Sequence, residues 1–121
     1  MKIAVIGTTS YQSRMKDHVL KLKMEGNEVG LPCFDDGDHI IVKEFGEDNL
    51  ELGICLYNRD LIKWADEVHL FWDQRSMGTI FDLGMCIALD KPIKAIYIEP
   101  KTFKNVILQW EAYSMPKRSV L

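Results

Sequence analysis

The chain has 121 residues, 47% of them hydrophobic and 27% charged, with a formal net charge of -3; that is enough for one hydrophobic core and too little for two. No block of Lys and Arg occurs, so the chain lacks the broad footprint a phosphate backbone needs, which argues against nucleic acid as a partner. A small phosphorylated ligand stays compatible, because one helix N-terminus and one arginine can hold it locally.

Cys33, Cys55 and Cys86 are odd in number and widely spaced, without a C-x-x-C pair. They suggest neither a disulfide framework nor a zinc site, and reduced thiols in a cytoplasmic protein fit them best. The opening MKIAVIG has no cleavage site, and nowhere do about 18 apolar residues run together, so neither a signal peptide nor a membrane span is expected. His18, His39 and His69 are scattered with no metal spacing, and no metal or cofactor is expected.

In chain order, Lys2 to Ile6 is a run of β-branched and small apolar residues ending at Gly7, which predicts a buried central strand. Thr8, Thr9 and Ser10 can cap the helix that follows, where Met15, Val19 and Leu22 form an apolar stripe closed by Gly26-Asn27. The same loop, Gly7 to Tyr11, is also a candidate for ligand contact, since it leaves a strand and enters a helix with three hydroxyls beside a glycine. Glu28 to Phe34 reads as the next strand, with Pro32 marking an edge or an end. Residues 35 to 49 are rich in Asp and Gly and read as a solvated loop, able to form a lid. Asp35, Asp36 and Asp38 lack the later bidentate Glu of a calcium loop.

Leu50 to Ala65 has helical spacing, capped by Asp48 or Asn49. Val68 to Trp72 is an apolar strand, Asp73 to Gly78 a polar turn, Thr79 to Leu89 an amphipathic helix and Ile93 to Ile98 a further strand, which together make one βαβ unit. Thr102 to Tyr113 predicts a closing helix, followed by an apolar-ended tail from Ser114 that can pack on a neighbour or stay loose. Alternating strands and helices predict an α/β domain with about four parallel strands ordered 2-1-3-4 and helices on both faces. The strand order then reverses between the first and third strands, and places the Thr8 to Ser10 loop beside the Asp73 to Gly78 loop, where ligands bind in such sheets.

The line from Ala65-Asp66 through Gly78-Thr79, Leu83-Gly84 and Ala88-Leu89 to Lys91-Pro92 resembles the signature of the nucleoside 2-deoxyribosyltransferase superfamily, which includes 2'-deoxynucleoside 5'-monophosphate N-glycosidases. The likeness covers about a third of the chain closely. Part of it is also similar to Rossmann-like nucleotide-binding proteins related to the lysine-decarboxylase-like group. The resemblance implies a single-domain Rossmann-like, flavodoxin-like sandwich over residues 1 to 121, a nucleoside or nucleotide as ligand, and a homodimer or higher homo-oligomer with sites completed by the neighbour. It also implies glycosidic chemistry, in which a carboxylate attacks the anomeric carbon and water or a second base resolves the covalent glycosyl-enzyme.

In this sequence the attacking position falls on Asp82, where the family has glutamate, one methylene longer. Thr79-x-x-Asp82 also fits a capping box, although Asp82 shares a helical face with Met85, Cys86 and Leu89 and so points toward the sheet. Ser76 matches the family's phosphate-binding serine, and Arg75 offers a charge to the same group. The family's second carboxylate, which assists the departing base, corresponds to Asn58, with Asp60 two residues later as the alternative. Asp73 is a candidate for sugar hydroxyls, Gly78 and Thr79 for the ligand cradle, and Tyr11 and Trp72 for stacking on a base unless they belong to the core. The two functions that remain open are an N-glycosidase or deoxyribosyltransferase acting on a (deoxy)nucleoside 5'-monophosphate, and a non-catalytic nucleotide sensor with a degenerate site.

Overall fold

Two strands in which almost every side chain is buried lie side by side at the centre of the protein: β1 (Lys2–Gly7) and β3 (Glu67–Trp72). The structure, a computed structural model, describes residues 1–32, 42–44, 46–72, 77–99 and 104–120. Around the two central strands are α1 (Gln12–Met24), β2 (Glu28–Gly30), α2 (Leu50–Trp64), α3 (Met77–Ala88), β4 (Ile93–Ile98) and α4 (Lys104–Val120). All strand pairs are parallel and the order is β2-β1-β3-β4, as the alternation of segments implies.

Successive strand residues face opposite sides, so the sheet builds two cores. Ala4, Ile6, Val68, Leu70 and Trp72 pack with Ile62 of α2, Leu83 and Cys86 of α3 and Ile107 of α4. Ile3, Val5 and Phe71 pack on the other side with Met15, Val19 and Leu22 of α1. Burial on both faces is why β1 and β3 read as continuous apolar runs rather than alternating ones.

Three element boundaries differ from the sequence reading. β2 has three residues, Glu28–Gly30, rather than the seven of Glu28 to Phe34, whose last two lie outside the described residues. Most of the expected loop or lid over 35 to 49 also lies outside them. α3 begins at Met77, two residues before Thr79. α4 does not stop at Tyr113 but runs through Ser114 and Pro116 to Val120.

The extension of α4 has a tertiary cause. β4 is an edge strand, and edges leave backbone groups unpaired. Here the Ile93 N–H donates to Ser114 Oγ at 3.1 Å, the Ala95 N–H donates to Glu111 Oε2, and Trp110 Nε1 donates to the Lys91 carbonyl at 2.9 Å. α4 therefore closes the edge with its side chains, and Ser114 is fully buried in doing so.

Two helix ends set how the chain re-enters the sheet. After α1, Gly26 takes φ 92°, with Gly26 N–H bonded to the Lys23 carbonyl and Asn27 N–H to that of Leu22. After α3 the same pair of bonds forms at Asp90, a non-glycine residue at φ 54°.

Candidate functional site

β1 and β3 end together: Gly7 pairs with Phe71, so the chain leaving β1 at Thr8 starts beside Trp72. This is the point where strand order reverses, and both crossovers turn away from it. A Cβ on Gly7 would sit 2.8 Å from Phe71 Cβ and 3.0 Å from Met15 Sδ. Glycine is thus required there for close packing of β1 against β3 and α1. Thr8 is extended and makes no side-chain cap, and Thr9 to Tyr11 form one 3-10 turn whose closing bond runs from Tyr11 N–H to the Thr8 carbonyl at 3.0 Å. α1 follows with no side-chain cap either. The hydroxyls of Thr8, Thr9 and Ser10 do not perform the capping expected of them, and Thr9 and Ser10 are exposed.

Asp82 lies on the inward stripe of α3 with Thr79, Leu83 and Cys86, and only 5% of it is exposed. Because α3 starts at Met77, Thr79 is inside the helix rather than at its cap, and Asp82 is in the second turn. The capping-box reading of Thr79 and Asp82 therefore does not hold. Gly78 is exposed in the first turn, while Thr79 is fully buried one position on.

α2 brings Asn58 to the Asp82 carboxyl. Asn58 is 8% exposed and its side chain is hydrogen-bonded to Asp82. Asn58 Oδ1 has no hydrogen-bond partner among the described residues. Burial pushes Asp82 up to about 7, and the Asn58 bond opposes this by favouring the charged form. The thiols of Cys55 and Cys86, on either side of this pair, are both held up, first by burial and then by the Asp82 charge. Asp60 does not join them: it is exposed and pairs with neighbouring Arg59 at 3.0 Å. Two residues on a helix are turned about 200° apart, so Asn58 and Asp60 cannot share a face.

At the rim beyond Trp72, Tyr11 Oη donates to Glu99 Oε2 at 3.1 Å and its ring lies tilted on Tyr97 at 5.0 Å, with Arg14 over the far ring at 5.0 Å. The Glu99 N–H donates to the Trp72 carbonyl. Glu99 was not among the candidates, although its place immediately after β4 is where rim residues fall. Trp72 is a core residue with no exposure, and cannot stack on a base. Asp73, Arg75 and Ser76 lie outside the described residues.

The histidines are not all scattered. His18 Nε2 and His69 Nδ1 are 2.8 Å apart, and His69 Nε2 meets Glu67 Oε1 at 3.0 Å. Glu67 and His69 are buried and His18 is half-buried, and the three lie between β3 and α1 on the sheet face opposite Asp82. Burial and then the neighbouring His69 hold His18 below its ordinary value. Among the described residues no three His, Cys, Asp or Glu side chains form a group suited to a metal ion, and no helix is long and apolar enough to cross a membrane.

No protein-family model matches the chain, and no curated protein does. Among solved structures it is similar to the Clostridium botulinum CMP N-glycosidase BcmB, with a TM-score of 0.60 and 21% identity over 94% of this chain and 83% of that one. The likeness is one of fold, a Rossmann-like sandwich.

Proposed function

We propose that the protein is a nucleotide N-glycosidase in which Asp82 is the attacking carboxylate and the Gly7 to Tyr11 loop, Gly78, Thr79 and Asn58 line the ligand site, with Asp73, Arg75 and Ser76 completing it. The observation that carries this is the buried Asp82 carboxyl, held by Asn58 on the helix that follows the central strand β3. A carboxyl so placed is costly to keep, and perturbed carboxyls beside a switch point are candidates for chemistry.

In the ionised form Asp82 attacks the anomeric carbon while the bond to the base nitrogen breaks, and the base leaves with that electron pair and takes a proton from water. A second water then displaces Asp82 from the sugar, giving the sugar phosphate and restoring the carboxylate. Asn58 binds but cannot donate the proton, and Asp60 faces outward. Base release is accordingly limited to bases that leave with little acid assistance. The same observation favours a second reading, a nucleotide sensor that has lost the chemistry.

We infer that the site is completed in a homo-oligomer; Met77 and Phe81 on α3, 84% and 57% exposed, support a surface there for a second copy. Free Cys55 and Cys86 fit a cytoplasmic setting. The test is chromatographic detection of free base from a panel of (deoxy)nucleosides and their 5'-monophosphates, with Asp82→Ala and Asp82→Glu beside the wild type. Release abolished by Asp82→Ala supports the glycosidase. Release by Asp82→Glu alone supports the sensor, and silence from all forms with no nucleotide-induced rise in melting temperature rejects both.

A further inference from the structure

A chain of two polar contacts ties β3 to α1: His69 Nε2 lies 3.0 Å from Glu67 Oε1, and His69 Nδ1 lies 2.8 Å from His18 Nε2. A carboxylate oxygen only accepts, so His69 Nε2 donates to Glu67. One proton then lies between His69 Nδ1 and His18 Nε2. A neutral His69 accepts it from His18, and a charged His69 donates it to His18, with the heavy atoms unmoved in either case. Two charged rings would each place an N–H in that 2.8 Å gap, with no lone pair to receive either. Glu67 and His69 are 3% and 4% exposed, so water has little access to separate them.

We propose that Glu67, His69 and His18 form an acid-sensitive clasp between β3 and α1, which takes one proton on the two rings together and parts when a second arrives. The Glu67 carboxylate balances the first charge, and either ring can carry it without loss of the bond. The other charged groups facing the clasp among the described residues are Lys21 and Glu25 on α1 and Lys94 on β4, which pairs with His69 in the sheet; the Phe71 ring meets His18 edge-on. Two lysines against one glutamate supply no surplus of negative charge to hold a second proton. Burial, then His69 and the two lysines, keep His18 below its ordinary value of 6.5, in the same direction. α1 also brings Met15, Val19 and Leu22 to the core on this face, so parting costs packing as well as a bond. The unfolded chain takes a proton on each ring as pH falls below 6.5, and the clasped protein takes one on both. The clasp's stability is therefore present above that pH and is lost in acid, by about tenfold in the folding constant per pH unit. It lies on the sheet face opposite Asp82 and acts whether or not the protein cleaves a nucleotide.

The experiment has two arms, both on the ligand-free protein. Nitrogen-15 spectra of the histidine rings from pH 4.5 to 8.5 read the protonation of each ring nitrogen in the folded state. His18 Nε2 and His69 Nδ1 are expected to shift together, through one titration worth one proton. Urea unfolding of the wild type and His18→Gln from pH 4.5 to 6.5 reads the second proton. Glutamine can turn its oxygen to a charged His69 and its N–H to a neutral one, so the folded and unfolded variant take the same single proton. The wild type should lose about tenfold per pH unit in its folding constant relative to His18→Gln, with Asp82 acting equally in both. The spectra need no variant, and decide the matter alone if His18→Gln does not fold. Two imidazolium rings in the folded protein, two rings that stay neutral throughout, or a gap between wild type and variant that does not change with pH would each overturn the clasp.

Discussion

At Asp82 the folded protein and the unfolded chain disagree about a proton. The folded value is pushed from 3.8 to about 7, so between those pH values the folded state holds a proton that the unfolded chain has released. The associated stability is fully present below pH 3.8 and is lost as pH rises through the folded value, by about 4 kcal/mol in all at 1.36 kcal/mol per unit. Asp82→Asn keeps the shape, replaces the acid with an uncharged amide, and removes the titration. Urea unfolding at pH 5 and pH 8 should show that the variant gains on the wild type as pH rises; equal gaps at both pH values would contradict burial of the carboxyl.

Asp82 and Asn58 are singled out by the resemblance to the deoxyribosyltransferase signature, which falls on two helices that the spacing predicts. The sequence pattern cannot identify Tyr11 with Glu99, 88 residues apart, or His18 with His69, 51 apart, since side chains joined only by the fold leave no periodic mark. Asp60 was a candidate for the same reason in reverse: its chemistry suited the site, while its face of the helix did not.

Among the elements, α4 closes the edge of β4 through side chains, and Ser114 is the clearest case. Ser114→Ala removes the acceptor of the buried Ile93 N–H, which costs about 1–3 kcal/mol, a fall of a few degrees in melting temperature for a domain of this size. Ser114→Thr keeps a hydroxyl and should lose less. If Ser114→Ala melts with the wild type, α4 does not close the edge in the way described. The strands β1 and β3 were legible as runs of β-branched and apolar residues because burial on two faces demands them, and the half-buried β4 keeps enough of that composition to be read with them. The end of α4 was not legible, because the bond that holds Ser114 comes from another element: α4 passes the last apolar position of its stripe to reach Ile93. The short β2 was overextended because EVGLPCF has strand composition beyond the three residues that pair with β1.

For the molecule as a whole, the order β2-β1-β3-β4 follows from alternating strands and helices joined by right-handed crossovers, and the meeting of the β1 and β3 ends follows from that order. The fold was therefore legible, and with it the meeting of the β1 and β3 ends; the likeness to a solved CMP N-glycosidase is a likeness of fold. The exposed stripe of α3 makes a claim at this scale too. Light scattering on the eluting protein should give a mass at least twice 14.0 kDa, and Phe81→Asp should return it to that of one chain; a monomeric wild type would remove the second copy from the account of the site.

Asp82 as the reacting group is tested most directly by the rate of base release from the preferred nucleotide between pH 5 and pH 9, for the wild type and Asp82→Ala. The expected result is a wild-type rate that rises with one midpoint about 7 as the carboxyl ionises, with no falling limb because Asn58 supplies no acid, and a loss of at least about a thousandfold in Asp82→Ala, as removal of a nucleophile produces. Release that is independent of pH across this range, or that survives in Asp82→Ala, would contradict it.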